Sequence, residues 1–484
     1  GNPDWPIVVA TGDSLIHGRG APGRMDELFQ TDEVHHYATE DVHDYEAEHD
    51  LLGVHSYHAV VGNPPYITVK DKRENQNYRD RYATCAGTYA LSVPFAERFF
   101  NLAKRAGGDG AGAGVVGQIT ANSFMKREFG KKLINDFFRN EVRLTHIIDT
   151  SGAYIPGHGT PTVILIGRNM PNTHTANVRA VLGIRGEPSP PANPAEGVVW
   201  QAIVTQIDQP GSESEWVSVA DLPWESFKSH PWSLAGGGAG DLCIFLESAA
   251  SSQLSDHAES IGRTTVVGED DAWVRPNIAT LFRRGEEEYA RGFVVGDSVR
   301  DFRVSGFPYA LNPYVDSKNT ETLPEGHRIS RVSLWPVRRV LQGRLIFGRT
   351  LGDQGRPWFE HLENYTSKLV TPLSITFAEV ATHNHFVLDR GGRIFKQTAP
   401  VIKLPKDATE DQHLELLGVL NSSTACFWLK QVCHKKGGAS NSGGGSSDQP
   451  WSWSYQYNSS RVSSFPQVKE SIEILNAEAD AIAT

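Results

Sequence analysis

The 484-residue chain holds no run of about 18 consecutive apolar residues, so no transmembrane helix is expected. Cysteine is scarce: Cys85, Cys243, Cys426 and Cys433 are scattered, and no pair has CxxC spacing. Neither a zinc ribbon nor a disulfide framework is supported, and a reducing cytoplasm is the expected setting. No secretory pattern opens the chain. Its first residue is Gly1 rather than Met, and a strand-like run, Ile7-Val8-Val9-Ala10, begins almost at once, as expected of a fragment or a trimmed chain. Positive charge is in deficit, with 46 Lys and Arg against 57 Asp and Glu, a net charge of -11. That argues against indiscriminate coating of nucleic acid and leaves room for a local basic groove. No internal repeat is visible.

What is present is ordinary globular material, 39% hydrophobic and 21% charged, long enough for two or three domains with cores of their own. Residues 1–170 alternate apolar strands with helices. The strands are Ile7–Ala10, His58–Gly62, Val115–Ile119, His146–Asp149 and Thr162–Ile166. Helices are expected over Tyr89–Arg105, where Leu91, Phe95, Phe99 and Leu102 recur at helical spacing, and around Lys126–Arg139. Such alternation predicts an open, mostly parallel α/β sheet. Ligands of such sheets sit beyond the carboxyl ends of the strands, where Asp13 and Asn63 fall. Residues 171–239 change character: prolines interrupt, strand-like runs such as Gly197–Val204 occur, and Gly236-Gly237-Gly238 suggests a linker. Residues 240–484 mix short strands, aromatics, glycine and arginine without regular alternation. Gly437–Asp448 is a Gly/Ser-rich stretch with the composition of a loop.

The chemically informative string is Val60-Val61-Gly62-Asn63-Pro64-Pro65-Tyr66. It suits methyl transfer to an exocyclic amine. The lone pair of adenine N6 is delocalised into the ring, so the amine is a poor nucleophile. Two aimed acceptors, the side-chain carbonyl of Asn63 and the backbone carbonyl of Pro64, would take its N–H bonds and stabilise the charge building on nitrogen. Pro64 and Pro65 fix the loop, and Tyr66 can stack on the base. Because N6 is buried in a duplex, the base must first leave the stack. The competing reading is a plain Asn-Pro turn. Against it stand the preceding apolar strand, the earlier strand ending in an acid, and the aromatic helix that follows.

On these residues the chain resembles the gamma-type DNA adenine-N6 methyltransferases, and within them the phage-growth-limitation methyltransferases of BREX type 2 phage-defence systems. Thr11–Leu15 is similar to the family's third motif, Asn63–Tyr66 to the catalytic fourth, Thr88–Leu91 to the fifth, Val115–Phe124 to the sixth, and Asp149–Pro156 leading into Thr162–Ile166 to the eighth. The resemblance implies a Rossmann-like methyltransferase sheet, incomplete here, over residues 1–170, and a mixed α+β target-recognition domain over 240–484, with 171–239 as a mixed connecting region. It implies S-adenosylmethionine as cofactor, with Asp13, Ser14 and Asn63 in its site. Asn63, Pro64, Pro65 and Tyr66 are then catalytic, and Tyr154 joins Tyr66 in flanking the flipped base, against the alternative of an ordinarily packed strand-edge tyrosine. Phe307–Leu311 and Leu420–Trp428 resemble segments of the recognition part. The family's first motif, a Gly-containing loop after the first strand, has no counterpart in the twelve residues before Asp13, and Gly110–Gly114 does not replace it because it precedes a strand rather than opening a helix.

Three further features have bland alternatives. Met25–Asp50 carries ten acids, no Lys or Arg, and His35, His36, His43 and His49. A solvated acidic face is favoured there over a metal site, because no metal-ligand spacing stands out. His327–Arg344 carries Arg328, Arg331, Arg338, Arg339 and Arg344 with no acid, and Trp335 among them. It is either a DNA contact or a solvated basic face. Lys430, Lys435 and Lys436, with His434, form a second candidate DNA contact or a basic helix end. Trp451 and Trp453 beyond them are expected as core anchors. Double-stranded DNA is the partner expected, with other phage-defence proteins as possible partners, and no membrane. The alternatives are an inert DNA-binding or complex-assembly module, or part of a fused restriction-modification enzyme.

Overall fold

The computed structural model describes residues 13–16, 51–107, 111–157, 159–172, 176–300, 302–316, 319–369, 371–437 and 453–467. The expected strand Ile7–Ala10, the acidic stretch Met25–Asp50, nearly all of Gly437–Asp448 and Trp451 lie outside the described residues. Among the described residues no helix is long and apolar enough to cross a membrane. The chain divides into two compact units, the first reaching Leu242 and the second beginning at Cys243.

The first unit is a mixed α/β body. Its elements are β1 (Ala59–Gly62), α1 (Lys72–Arg81), α2 (Ser92–Leu102), β2 (Val115–Ala121), β3 (Arg143–Asp149), β4 (Thr162–Arg168), β5 (Asn177–Gly183), α3 (Val198–Gln206) and β6 (Val217–Pro223). The six strands form one sheet in the order β1-β2-β4-β3-β5-β6. The β1–β2 and β3–β5 ladders are parallel; the β2–β4, β4–β3 and β5–β6 ladders are antiparallel. A mostly parallel sheet is therefore corrected to a mixed one. The link from β3 to β4 contains no crossover helix, and there the chain reverses; the link from β5 to β6 carries α3, and β6 still returns antiparallel to β5. Because β2 and β3 both oppose β4, the strands β1, β2, β3 and β5 nonetheless run the same way.

Alternation along the strands sends side chains to two faces. Ile147 and Ala180 join a core with Val116, Phe100, Phe124, Phe138, Trp224 and Trp232, while Ile148 and Val181 join another with Val199, Ile203, Val217 and Val219. The first core is aromatic: Phe138 stacks on Trp232 with ring centroids 5.8 Å apart, and Phe124 meets both rings edge-on. Residues 171–239 supply β5, α3 and β6 to this unit. Within them Gly197–Val204 is helical rather than extended. The Glu187 carboxylate accepts from the amides of Val198 and Val199, satisfying two of the donors a helix start leaves open, and Val199 and Ile203, four apart, are buried. The helix expected around Lys126–Arg139 is two 3-10 turns, Asn122–Met125 and Glu128–Gly130, followed by a π-helical segment, Leu133–Glu141.

The second unit is built of small sheets. Strands Phe386–Asp389, Ser374–Phe377, Val401–Lys403 and Ser260–Gly262 form one antiparallel sheet, and Val274–Arg275, Tyr309–Leu311, Ala290–Val294 and Arg393–Phe395 form a mixed one in which the last ladder is parallel. One core gathers Ile375, Phe377, Val401, Trp428 and Tyr457; a second gathers Trp273, Phe293, Leu311, Leu334 and Phe359. Helix Ser423–Val432 starts where the Ser422 hydroxyl accepts from the Ala425 amide.

Candidate functional site

The Asn63–Tyr66 loop begins where β1 stops short. Gly62 pairs with Gln118, and β2 continues three residues further to Ala121. Two prolines in a row end the ladder, because neither can donate to it. The loop therefore leaves the sheet at its carboxyl rim. There Asn63 and Pro65 are exposed, Pro64 is buried and Tyr66 is half-buried. The Tyr66 hydroxyl lies 3.4 Å from the Ile119 carbonyl, and burial raises the pKa of its phenol, which keeps the proton on. After Tyr66 the chain returns to α2, where the Leu91 amide donates to the Ile67 carbonyl at 2.9 Å.

Helix α2 holds two segments with neighbouring residues. Its Phe99 ring packs against Gly62 so closely that a Cβ there would come within 2.4 Å of it. Next to it, fully buried Arg98 donates to the carbonyls of Ser14 and Leu52, each at 3.0 Å. Asp13 and Ser14 open a tight turn, with the Leu15 amide on Asp13 Oδ1 at 2.9 Å, and Leu15 and Ile16 buried. The Tyr78 hydroxyl donates to Asp13 Oδ2 at 2.7 Å, and the Tyr82 hydroxyl to the Leu15 carbonyl at 2.6 Å. Burial, followed by the charges of Asp13 and Glu74, holds the Tyr78 phenol protonated. Two carboxylate oxygens have about four acceptor sites, so the half-buried Asp13 keeps capacity for a further donor. Tyr78, Tyr82 and Arg98 were not singled out from the sequence; tyrosines four apart in a polar helix carry no signal of what they will grip.

Beneath the loop, Gln118 is 1% exposed, and among the described residues neither its amide oxygen nor its nitrogen has a partner; the Thr120 hydroxyl on the same strand face is likewise unsatisfied there. The same rim carries Tyr154, half-buried in the β3–β4 link. In that link Gly152 O accepts from the Glu187 amide at 2.8 Å, and Ser151 N donates to Asp149 Oδ1 at 2.8 Å. With β2 and β4 between β1 and β3, the strands leading to Asn63 and Tyr154 lie about 14 Å apart at the usual strand spacing.

The basic candidates all lie in the second unit, in two groups. Arg328, Arg331 and Arg339 are exposed, and Arg338 stacks over Trp335 at 3.9 Å. Arg328 also donates to the Arg284 carbonyl at 2.8 Å. Arg344, counted with this run in the sequence, is 5% exposed, and its guanidinium is spent on the carbonyls of Leu341, Val267, Trp358 and Glu360. The second group gathers on a small sheet in which Lys435 pairs with Tyr455. Lys430 lies over Tyr455 at 5.4 Å and Lys435 over Trp453 at 3.6 Å, while Lys436 is exposed. Among the described residues no disulfide joins any of the four cysteines. Among the described residues no group of three His, Cys, Asp or Glu is placed to hold a metal ion.

Residues 22–155 match the Eco57I restriction-modification methylase family. The chain is 48% identical to the adenine-specific methyltransferase PglX of Streptomyces coelicolor over 99% of its own length, and it spans 40% of that relative's length. Among solved structures it is similar to the Type IIL restriction-modification enzyme MmeI in complex with DNA, at 14% identity and a TM-score of 0.49, covering 87% of this chain and 49% of that one. That likeness is too loose to bear on function.

Proposed function

This chain is a relative of the adenine-specific methyltransferase PglX, and on that kinship we propose that it belongs to a site-specific DNA adenine-N6 methyltransferase. The observation that carries the reading is the Asn63 side chain standing exposed at the carboxyl rim of the sheet, on a loop pinned by buried Pro64. The Asn63 side-chain carbonyl and the Pro64 backbone carbonyl accept the two N–H bonds of an everted adenine's amine and stabilise the charge that grows on N6. Pro65 keeps the loop stiff, so the acceptors need no reorganisation. Tyr66, protonated and half-buried, stacks on the base from one side, and Tyr154 across the rim flanks it from the other.

S-adenosylmethionine, when bound, supplies a methyl group activated by its sulfonium. The residues present fit it. The Asp13 carboxylate, held by Tyr78 and Leu15 with acceptor capacity left over, suits an adenine amine, and Ser14 and Asn63 lie on segments that α2 holds from adjacent positions. The chain's task is positioning: a near-attack arrangement of two bound groups accounts for most of the rate in such transfers. Exposed Arg328, Arg331 and Arg339, with Arg338, Lys430, Lys435 and Lys436, engage the phosphates of double-stranded DNA. The likeness to phage-growth-limitation methyltransferases supports a role in marking host DNA within a phage-defence system.

The test is the Asn63→Ala variant in the complete gene. Sequencing that reports N6-methyladenine should find the modified sites of the wild type unmodified in the variant, while the purified variant keeps its DNA affinity and melting temperature, because Asn63 is exposed. Methylation at wild-type level in Asn63→Ala would overturn the assignment.

A further inference from the structure

The second unit contains two tight hairpins whose tips are phenylalanine at a position that favours glycine or asparagine. Strands Leu345–Ile346 and Arg349–Thr350 pair with Ile346 opposite Arg349, which leaves Phe347 and Gly348 as a two-residue loop. Both have positive φ, 49° and 80°, the signature of the turn for which Asn-Gly is preferred. Phe347 is 99% exposed. The device recurs: Arg300 pairs with Arg303, and Phe302 between them has φ 64° and is 63% exposed. A bulky side chain at positive φ is a true outlier. An aromatic ring left wholly in water gains nothing from burial. Both costs fall on one residue, and neither stabilises the fold.

The tip stands on a rigid base. Buried Arg344, one residue before the hairpin, ties four carbonyls together. Beyond the tip, Thr350 bonds Asp353 Oδ2 through its amide at 2.9 Å and its hydroxyl at 2.8 Å. The chain leading into and through the tip is rich in arginine. From His327 to Gly352 there are six arginines and no acid, and Arg331, Arg339 and Arg349 are exposed. A protruding apolar ring on a stiff two-residue tip, set in a run of arginines, is complementary to a stacked polyanion. Apolar side chains wedged between base steps unstack and kink duplex DNA in this manner.

We propose that Phe347 is a wedge that inserts between base pairs of the bound duplex. The proposal rests on the reading of the chain as a DNA methyltransferase, and it adds a device that loosens the stack from which the target adenine must leave. Arg349 and the neighbouring arginines hold the phosphates on either side, and Arg344 keeps the ring from retreating.

The test compares the full chain with Phe347→Asn and Phe347→Trp on a pool of random-sequence duplex DNA. Asparagine accepts the left-handed conformation, so Phe347→Asn should melt no lower than the wild type. Its affinity should fall about tenfold, the loss of one stacking contact. The slope of affinity against salt should stay the same, since no phosphate contact is removed. Permanganate, which oxidises unstacked thymine, should mark the DNA bound by the wild type and by Phe347→Trp and spare the DNA bound by Phe347→Asn. If wild type and Phe347→Asn bind equally and leave the same thymine reactivity, the wedge is overturned and the methyltransferase reading stands. If the wild type binds no duplex at any salt concentration, the DNA-binding reading falls and the wedge with it.

Discussion

At the residue scale the revealing groups are polar ones kept at a cost. Gln118 is sealed in the first core with both amide atoms unpartnered among the described residues, opposite Gly62, the last residue before the Asn63–Tyr66 loop. A buried amide without partners is destabilising by about 1–3 kcal/mol. Gln118→Leu, of similar volume, is therefore expected to raise the urea midpoint and to lower methylation. Unchanged methylation in that variant would show the amide to be idle in the reaction. Asn63 could be picked out from the sequence because its neighbours Pro64, Pro65 and Tyr66 make a short, specific string. Gln118 could not, since a glutamine in an alternating strand is expected to face water.

At the element scale, close backbone approach decides where segments end. Past β2 the chain turns back on itself at Gly130, where an added Cβ would lie 1.8 Å from the Phe124 carbonyl oxygen. Neither backbone can yield cheaply, so Gly130→Ala should destabilise by about 3 kcal/mol. Calorimetry should show a lower melting temperature, and an unchanged one would contradict this packing. The same crowding explains why the helix expected over Lys126–Arg139 is instead 3-10 turns and a π-helical segment. Gly197–Val204 shows the reverse error: β-branched residues suggested a strand, but the Glu187 carboxylate capping its first amides, eleven and twelve residues away, made a helix of it.

At the scale of the whole molecule the two units carry buried ionisable groups of opposite response to acid. In the second unit, burial pushes His361 down to about 3, and its ring lies 4.8 Å from Trp273 and 5.4 Å from Tyr314. A base depressed by folding binds fewer protons folded than unfolded, so its contribution is complete above about pH 6.5 and declines as pH falls toward 3. In the first unit, burial raises Glu97, whose carboxylate accepts from the amide and hydroxyl of Thr84. An acid raised by folding is penalised while ionised, so acidification relieves it. Lowering the pH from 7 toward 5 should therefore destabilise the second unit relative to the first, and calorimetry should show the second-unit transition falling relative to the first-unit one. In His361→Gln the shift of the second-unit transition should shrink. Transitions that keep their spacing would contradict this assignment.

The sequence alone determined what short-range pattern can encode: apolar strands ending in Asn63 and Asp149, the aromatic helix between them, the acid-free arginine run. Each of these is a property of neighbours in the chain. Only the tertiary structure decided which strands reverse, which arginine is structural and which faces solvent, and which tyrosines grip the Asp13 turn. Those outcomes depend on hydrogen-bond partners tens of residues away: Tyr78 meets Asp13 across 65 positions and Arg344 meets Val267 across 77. A backbone or charged group satisfies its bonds with whatever the fold brings near, and periodicity carries no record of that neighbour.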